Sequence, residues 1–86
     1  MSTTVHFTGR VVSGDDVVFS RVNGHYVITQ RGAFKSWGGV LIIESGEPPS
    51  LFNGSIVTDD GRKGKAFGTE MSFFSNEVTF CGSGPI

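Results

Sequence analysis

The sequence predicts an all-β fold: a small antiparallel barrel or sandwich of six to seven strands, built from hairpins and of OB-like or SH3-like size. Three observations carry this expectation. No window repeats its apolar residues at the helical period of about 3.6. The apolar runs are short, rich in Val, Ile and Phe, and recur roughly every 8–12 residues. Thirteen glycines are spread through the chain, between the runs and inside them.

Strands are expected at 4–12, 17–22, 25–31, 38–45, 51–58, 65–74 and 77–82. In the first, Val5, Phe7, Gly9 and Val11 alternate with polar residues and share a core face. "SGDD" at 13–16 turns the chain. A loop at 13–15 sets Val11 opposite Val17, Gly9 opposite Phe19 and Phe7 opposite Arg21; a slip of one residue would bring Arg10 inward. Asn23-Gly24 is the strongest local turn signal and asks for a two-residue type I′ hairpin. It pairs Val22 with His25 and Phe19 with Ile28, so that Val17, Phe19, Tyr26 and Ile28 face the core with Arg21 at its rim. Glu47-Pro48-Pro49 breaks the chain near its middle. It is expected to be a rigid loop rather than a linker, because neither half can bury a core alone.

"FTGRVVSGDD" at 7–16 echoes "FNGSIVTDDG" at 52–61. Phe7/Phe52, Gly9/Gly54, Val11/Ile56, Val12/Val57, Ser13/Thr58 and Asp15/Asp60 match at one constant offset. This suggests two related halves in a pseudo-symmetric barrel, although any strand-turn unit draws on similar residues. Either way it gives Phe52, Gly54 and Ile56 inward parity.

The 86 residues make one domain, 1–86, with eight Phe supplying much of the burial. The net charge of −1 argues against a strong nonspecific nucleic-acid binder and a polybasic membrane anchor. The longest strictly aliphatic run, Val40 to Ile43, falls far short of the roughly 20 residues a spanning helix needs. "MSTTVHFTGR" lacks the apolar region of a secretory leader. Cys81 stands alone, so no disulfide framework marks the chain as extracellular, and a cytoplasmic location is expected.

Chemistry-bearing patterns are sparse. His6 and His25 lie in strands, and no nucleophile elbow accompanies them. His6, His25 and Cys81 lack metal-ligand spacing, and the Asp pairs 15–16 and 59–60 suit turns, so neither metal nor cofactor is expected. Cys81, on a final strand, is expected to be buried or half-buried. A small hydrolase using His25 or Cys81 is the least favoured reading, and catalytic residues are not assigned. Arg62, Lys63 and Lys65 in "GRKGK" offer an anion contact or the solvated tip of a hairpin.

The most suggestive stretch is "RGAFKSWGGVLIIES" at 31–45. On an extended segment Lys35 and Trp37 share one side and Phe34 the other, so both rings enter the core only if a bulge intervenes. Either Trp37 plugs the barrel end, with its N–H on a backbone partner, or this loop offers a ring to a partner beside cations. The contact set is then Arg31, Phe34, Lys35 and Trp37, with Tyr26 nearby. Doubled hydrophobes at Val11-Val12, Val17-Val18, Val40 to Ile43, Ile56-Val57 and Phe73-Phe74 put apolar groups on both faces. They form a sandwich's second layer or a subunit interface, and a homodimer is preferred. The expected function is a non-enzymatic binding or protein-interaction module that self-associates. The alternative is a ligand-binding barrel for carbohydrate or single-stranded nucleic acid.

Overall fold

The computed structural model describes residues 2–86. Six antiparallel strands, β1 (Ser2–Ser13), β2 (Asp16–Arg31), β3 (Phe34–Ile43), β4 (Asn53–Thr58), β5 (Lys63–Ser72) and β6 (Glu77–Ser83), close in the order β1-β2-β3-β6-β5-β4. The barrel is two three-stranded meanders, β1–β2–β3 and β4–β5–β6, joined by β1 on β4 and β3 on β6. Among the described residues no helix is long and apolar enough to cross a membrane.

The two segments of the sequence echo lie side by side in the barrel. Val11 of β1 lies directly opposite Ile56 of β4, its own counterpart in the echo, and both are fully buried. Gly9 opposes Thr58. A β-carbon on Gly9 would run into the Val57 carbonyl, and one on Gly54 into the Val12 carbonyl. The two close approaches are reciprocal in the echo, where Gly9 matches Gly54 and Val12 matches Val57. The inward parity expected for Phe52 and Ile56 holds, since both are buried.

Seven expected strands become six because the Asn23-Gly24 hairpin does not form. β2 runs straight through it for 16 residues. A type I′ turn needs positive φ at both central residues, and among the described residues only Gly14, Gly32, Gly46, Gly61, Gly84 and Asn76 adopt it. Gly24 instead sits between Phe7 and Leu41 in the sheet. A β-carbon there would meet the Val40 carbonyl, so this glycine serves a close strand crossing. The register of the first hairpin also differs. Ser13 pairs with Asp16 around Gly14 and Asp15, and Val12, not Val11, opposes Val17. Irregularities between Gly9 and Val12 then bring Val11 to Phe19 and Gly9 to Val22. Ser20 and Arg21 both face outward as a result, so Val22 enters the core while Val17 is exposed.

The core is aromatic. Tyr26 packs on Phe7 and Trp37 with ring centroids 5.7 and 5.6 Å apart, and Phe80 edges onto Phe7 and Trp37 at 6.3 and 6.1 Å. Phe19 and Phe52 form a second pair at 6.0 Å. Trp37 plugs the barrel: only 5% of it is exposed, and its Nε1–H donates to the Gly84 carbonyl at 2.8 Å. The space for its ring is made by glycine. A β-carbon on Gly82 would overlap the indole, and one on Gly64 would lie 2.7 Å from its Cζ2. Gly82→Ala is therefore expected to cost about 1–3 kcal/mol of stability through overpacking. Urea unfolding followed by Trp37 fluorescence measures this, and the variant's emission should shift as the indole is displaced.

Candidate functional site

The β2–β3 turn, Gly32-Ala33, is reached with φ 59° at Gly32 and is flanked by the pair Arg31–Phe34. Strand alternation places Thr29, Arg31, Phe34 and Ser36 on one face, where they line a shallow depression of about 380 Å³. Phe34 is 83% exposed, and Arg31 and Lys35 are exposed as well. Lys35 pairs with Gln30 and points to the opposite face, the face of Ile28 and Trp37. The five residues read from sequence as one contact set are thus divided. Arg31 and Phe34 lie together, Lys35 stands behind them, and Tyr26 and Trp37 are core residues with no surface to offer. Thr29 and Ser36 complete the face; their strand parity with Arg31 and Phe34 was the signal available for them.

The basic turn is divided too. Arg62 turns back onto the barrel end, where its Nη1–H donates to the Tyr26 hydroxyl at 3.2 Å and its Nε lies 3.7 Å from Asp60. Lys63 and Lys65 remain exposed and share the outer side of β5 with Phe67. The cross-strand rows Ser55–Lys65–Ser83 and Asn53–Phe67–Cys81 continue this surface over β4 and β6. Phe67 was not singled out in the sequence, although its spacing of two from Lys65 already put them on one side. Ser55, Lys63, Lys65, Ser83, Gly84 and Pro85 border a hollow of about 520 Å³ on this side.

The remaining polar groups are occupied with turns. Asp59 accepts from the Thr8 hydroxyl at 2.6 Å and from Arg21 Nη1 at 2.7 Å. Asp60 accepts from the Thr58 hydroxyl, and Thr58 also accepts the Arg62 backbone N–H at 3.0 Å. In the connection between β3 and β4, Glu47 accepts from the hydroxyls of Ser45 and Ser20. His6 and His25 face each other across β1 and β2 with ring centroids 5.9 Å apart. Cys81 lies on β6, with β3 between it and His25. Its thiol is exposed on the outer side of the barrel rather than buried, because alternation gives the inward positions to Val78 and Phe80. Among the described residues no group of three or more His, Cys, Asp or Glu side chains is placed to hold a metal ion. No protein-family model, curated protein or solved structure gives a significant match to this chain.

Hydrogen bonds hold all three carboxyls below their ordinary values: from Ser45 and then Ser20 for Glu47, from Thr8 and then Arg21 for Asp59, and from Thr58 for Asp60. A carboxyl depressed in the folded state stabilises the fold fully above its unfolded value and loses that contribution as pH falls through the folded value. The contribution of these three carboxyls is therefore expected to be level above about pH 5 and to decline below it. Asp59→Asn should lower the unfolding midpoint at pH 7, and its difference from the wild type should shrink towards pH 3. Thermal unfolding across that range checks both outcomes.

Proposed function

We propose that this chain is a non-enzymatic interaction module that self-associates and presents a contact surface from its β2–β3 tip. The observation that carries this reading is Phe34, a large ring left 83% exposed beside Arg31 on a hairpin whose base is anchored by Trp37. An anchored tip loses little freedom on binding, and a ring beside a guanidinium has the chemistry of an interface hot spot. Arg31 orients a polar or acidic group of a protein partner while Phe34 fills an apolar pocket on it.

Self-association draws on a second feature. The barrel has a single layer, so no second sheet covers the outward members of the doubled hydrophobes. Val17, Ile42, Phe67 and Phe73 are exposed, and Phe74 at the β5–β6 turn is completely so. A cytoplasmic setting accords with this reading.

Lys63, Lys65 and Phe67 on one side of β5 favour a second reading, a platform for single-stranded nucleic acid. Salt separates the two. An oligonucleotide held by Lys63 and Lys65 is released steeply as salt rises, whereas a contact centred on Phe34 is far less sensitive.

Phe34→Ala should leave the unfolding free energy within about 0.5 kcal/mol of the wild type, since the ring touches no core. It should weaken a protein partner captured by immobilised wild type about tenfold or more. Titration of that partner against both forms, at low and high salt, checks this. A salt-sensitive oligonucleotide affinity lost in Lys63→Ala/Lys65→Ala would transfer the function to the second reading.

A further inference from the structure

β1 is longer than its contact with β4, and this leaves part of one sheet edge open. β2 pairs with β1 from Ser2 to Ser13, whereas β4 covers only Gly9 to Val12. Just beyond, the Asp59 N–H donates to the Thr8 carbonyl at 2.8 Å. The N–H and C=O of one strand residue point to the same side, and successive residues alternate. Thr8 therefore sets the parity: Ser2, Thr4 and His6 direct their backbone groups away from β2. Among the described residues no backbone partner beyond the sheet meets them. β3 has a shorter open edge at 34–37, before its pairing with β6 begins at Gly38. That edge carries Lys35, a common guard against strand addition. The β1 edge has no such guard. "STTVHFT" at 2–8 contains no Lys, Arg, Asp, Glu, Pro or Gly. Its β-branched residues favour extended backbone, and the irregularities of β1 begin only at Gly9.

We propose that the β1 edge is the self-association surface, pairing antiparallel with β1 of a second copy about a two-fold axis at Thr4. The inference rests on the self-association reading above and names its surface. In a two-fold strand pair every residue near the axis meets its own equivalent or a close neighbour, so a charge there meets a like charge. An edge free of charge is what pairing with itself requires; a foreign peptide imposes no such condition. The register follows as well. Asp59 already occupies the Thr8 carbonyl, so among the described residues Ser2, Thr4 and His6 carry the outward-directed backbone groups, and the axis is placed at Thr4 between the other two. Thr4 then opposes Thr4 of the second copy, and Ser2 opposes its His6. On the other face Thr3 lies against its Val5, a half-buried side chain packed on the core that gains cover. The two β1–β2–β3 sheets become one continuous sheet.

The test is the molar mass of the full chain in solution across a dilution series, for the wild type, Thr4→Lys, Thr4→Glu and Thr4→Pro. The wild type should be a dimer. Thr4→Lys and Thr4→Glu, each placing like charges across the axis, should raise the dissociation constant about tenfold or more at low salt. An equimolar mixture of the two should restore the dimer, and added salt should weaken the restored pair. Thr4→Pro removes an N–H that β2 does not use, so it should favour the monomer while unfolding cooperatively; if it fails to fold, the charge pair decides. A wild-type dimer that persists unchanged in Thr4→Lys and Thr4→Glu would overturn the β1 edge and leave self-association standing on the outward hydrophobes. A wild type that is monomeric at all concentrations would overturn both.

Discussion

Closing six strands into a ring forces backbones and rings into the same small volume, and glycine is what permits it. Where β1 crosses β4, Gly9 and Gly54 admit the carbonyls of Val57 and Val12. Where β2 crosses β3, Gly24 and Gly39 do the same for Val40 and His25. At the end of the barrel Gly64 and Gly82 vacate the space that Trp37 fills. A side chain at any of the four glycines of the strand crossings would set a neighbouring strand aside and oppose closure, whereas one at Gly64 or Gly82 would displace the indole of Trp37. This is a steric use of glycine, distinct from the positive φ that Gly14 and Gly32 supply at turns.

The surface follows from that closure. Burial of Tyr26, Trp37 and Phe80 on one side of their strands obliges the neighbours to face outward. Trp37 inward therefore means Phe34 outward, three residues away on the same strand. The barrel also decides where pairing stops. Because β4 spans only Asn53–Thr58 and β1 runs from Ser2, the first turn of the barrel wall extends as a sheet with free backbone groups. The exposed ring at the hairpin tip and the uncharged edge of β1 are thus by-products of one geometry.

Much of the fold was legible because apolar alternation reports burial directly. Val5, Phe7, Gly9 and Val11 kept their expected side, and the inward parity that the echo between 7–16 and 52–61 gave Phe52 and Ile56 held; the pairing of Val11 with Ile56 came only from the structure. Asn23-Gly24 misled because local turn preference competes with tertiary pairing. In a longer sheet the same glycine relieves a crossing between β2 and β3, and nothing within a few residues of it distinguishes the two uses. The β1–β2 register was missed for a related reason: one irregularity, opposite Val11 and Val12, leaves Val17 outside, and a second, at Ser20-Arg21, brings Val22 inward. For the site, strand parity put Phe34 and Trp37 on opposite sides; which of them faced out depended on glycines at 64 and 82, far along the chain.

The sequence by itself determined that this chain has a small all-β fold, rich in Phe, Val and Ile, with Phe34 and Trp37 on opposite sides of one extended segment. These properties depend on composition and on a period of two, which neighbouring residues set. Only the tertiary structure decided that the sheet closes into a barrel, that β2 is one strand, that Tyr26 and Trp37 are withdrawn from the surface, and that part of β1 remains an open edge. Each of those depends on which distant strands come to lie side by side, and backbone pairing between residues tens of positions apart leaves no mark in the residues near either partner.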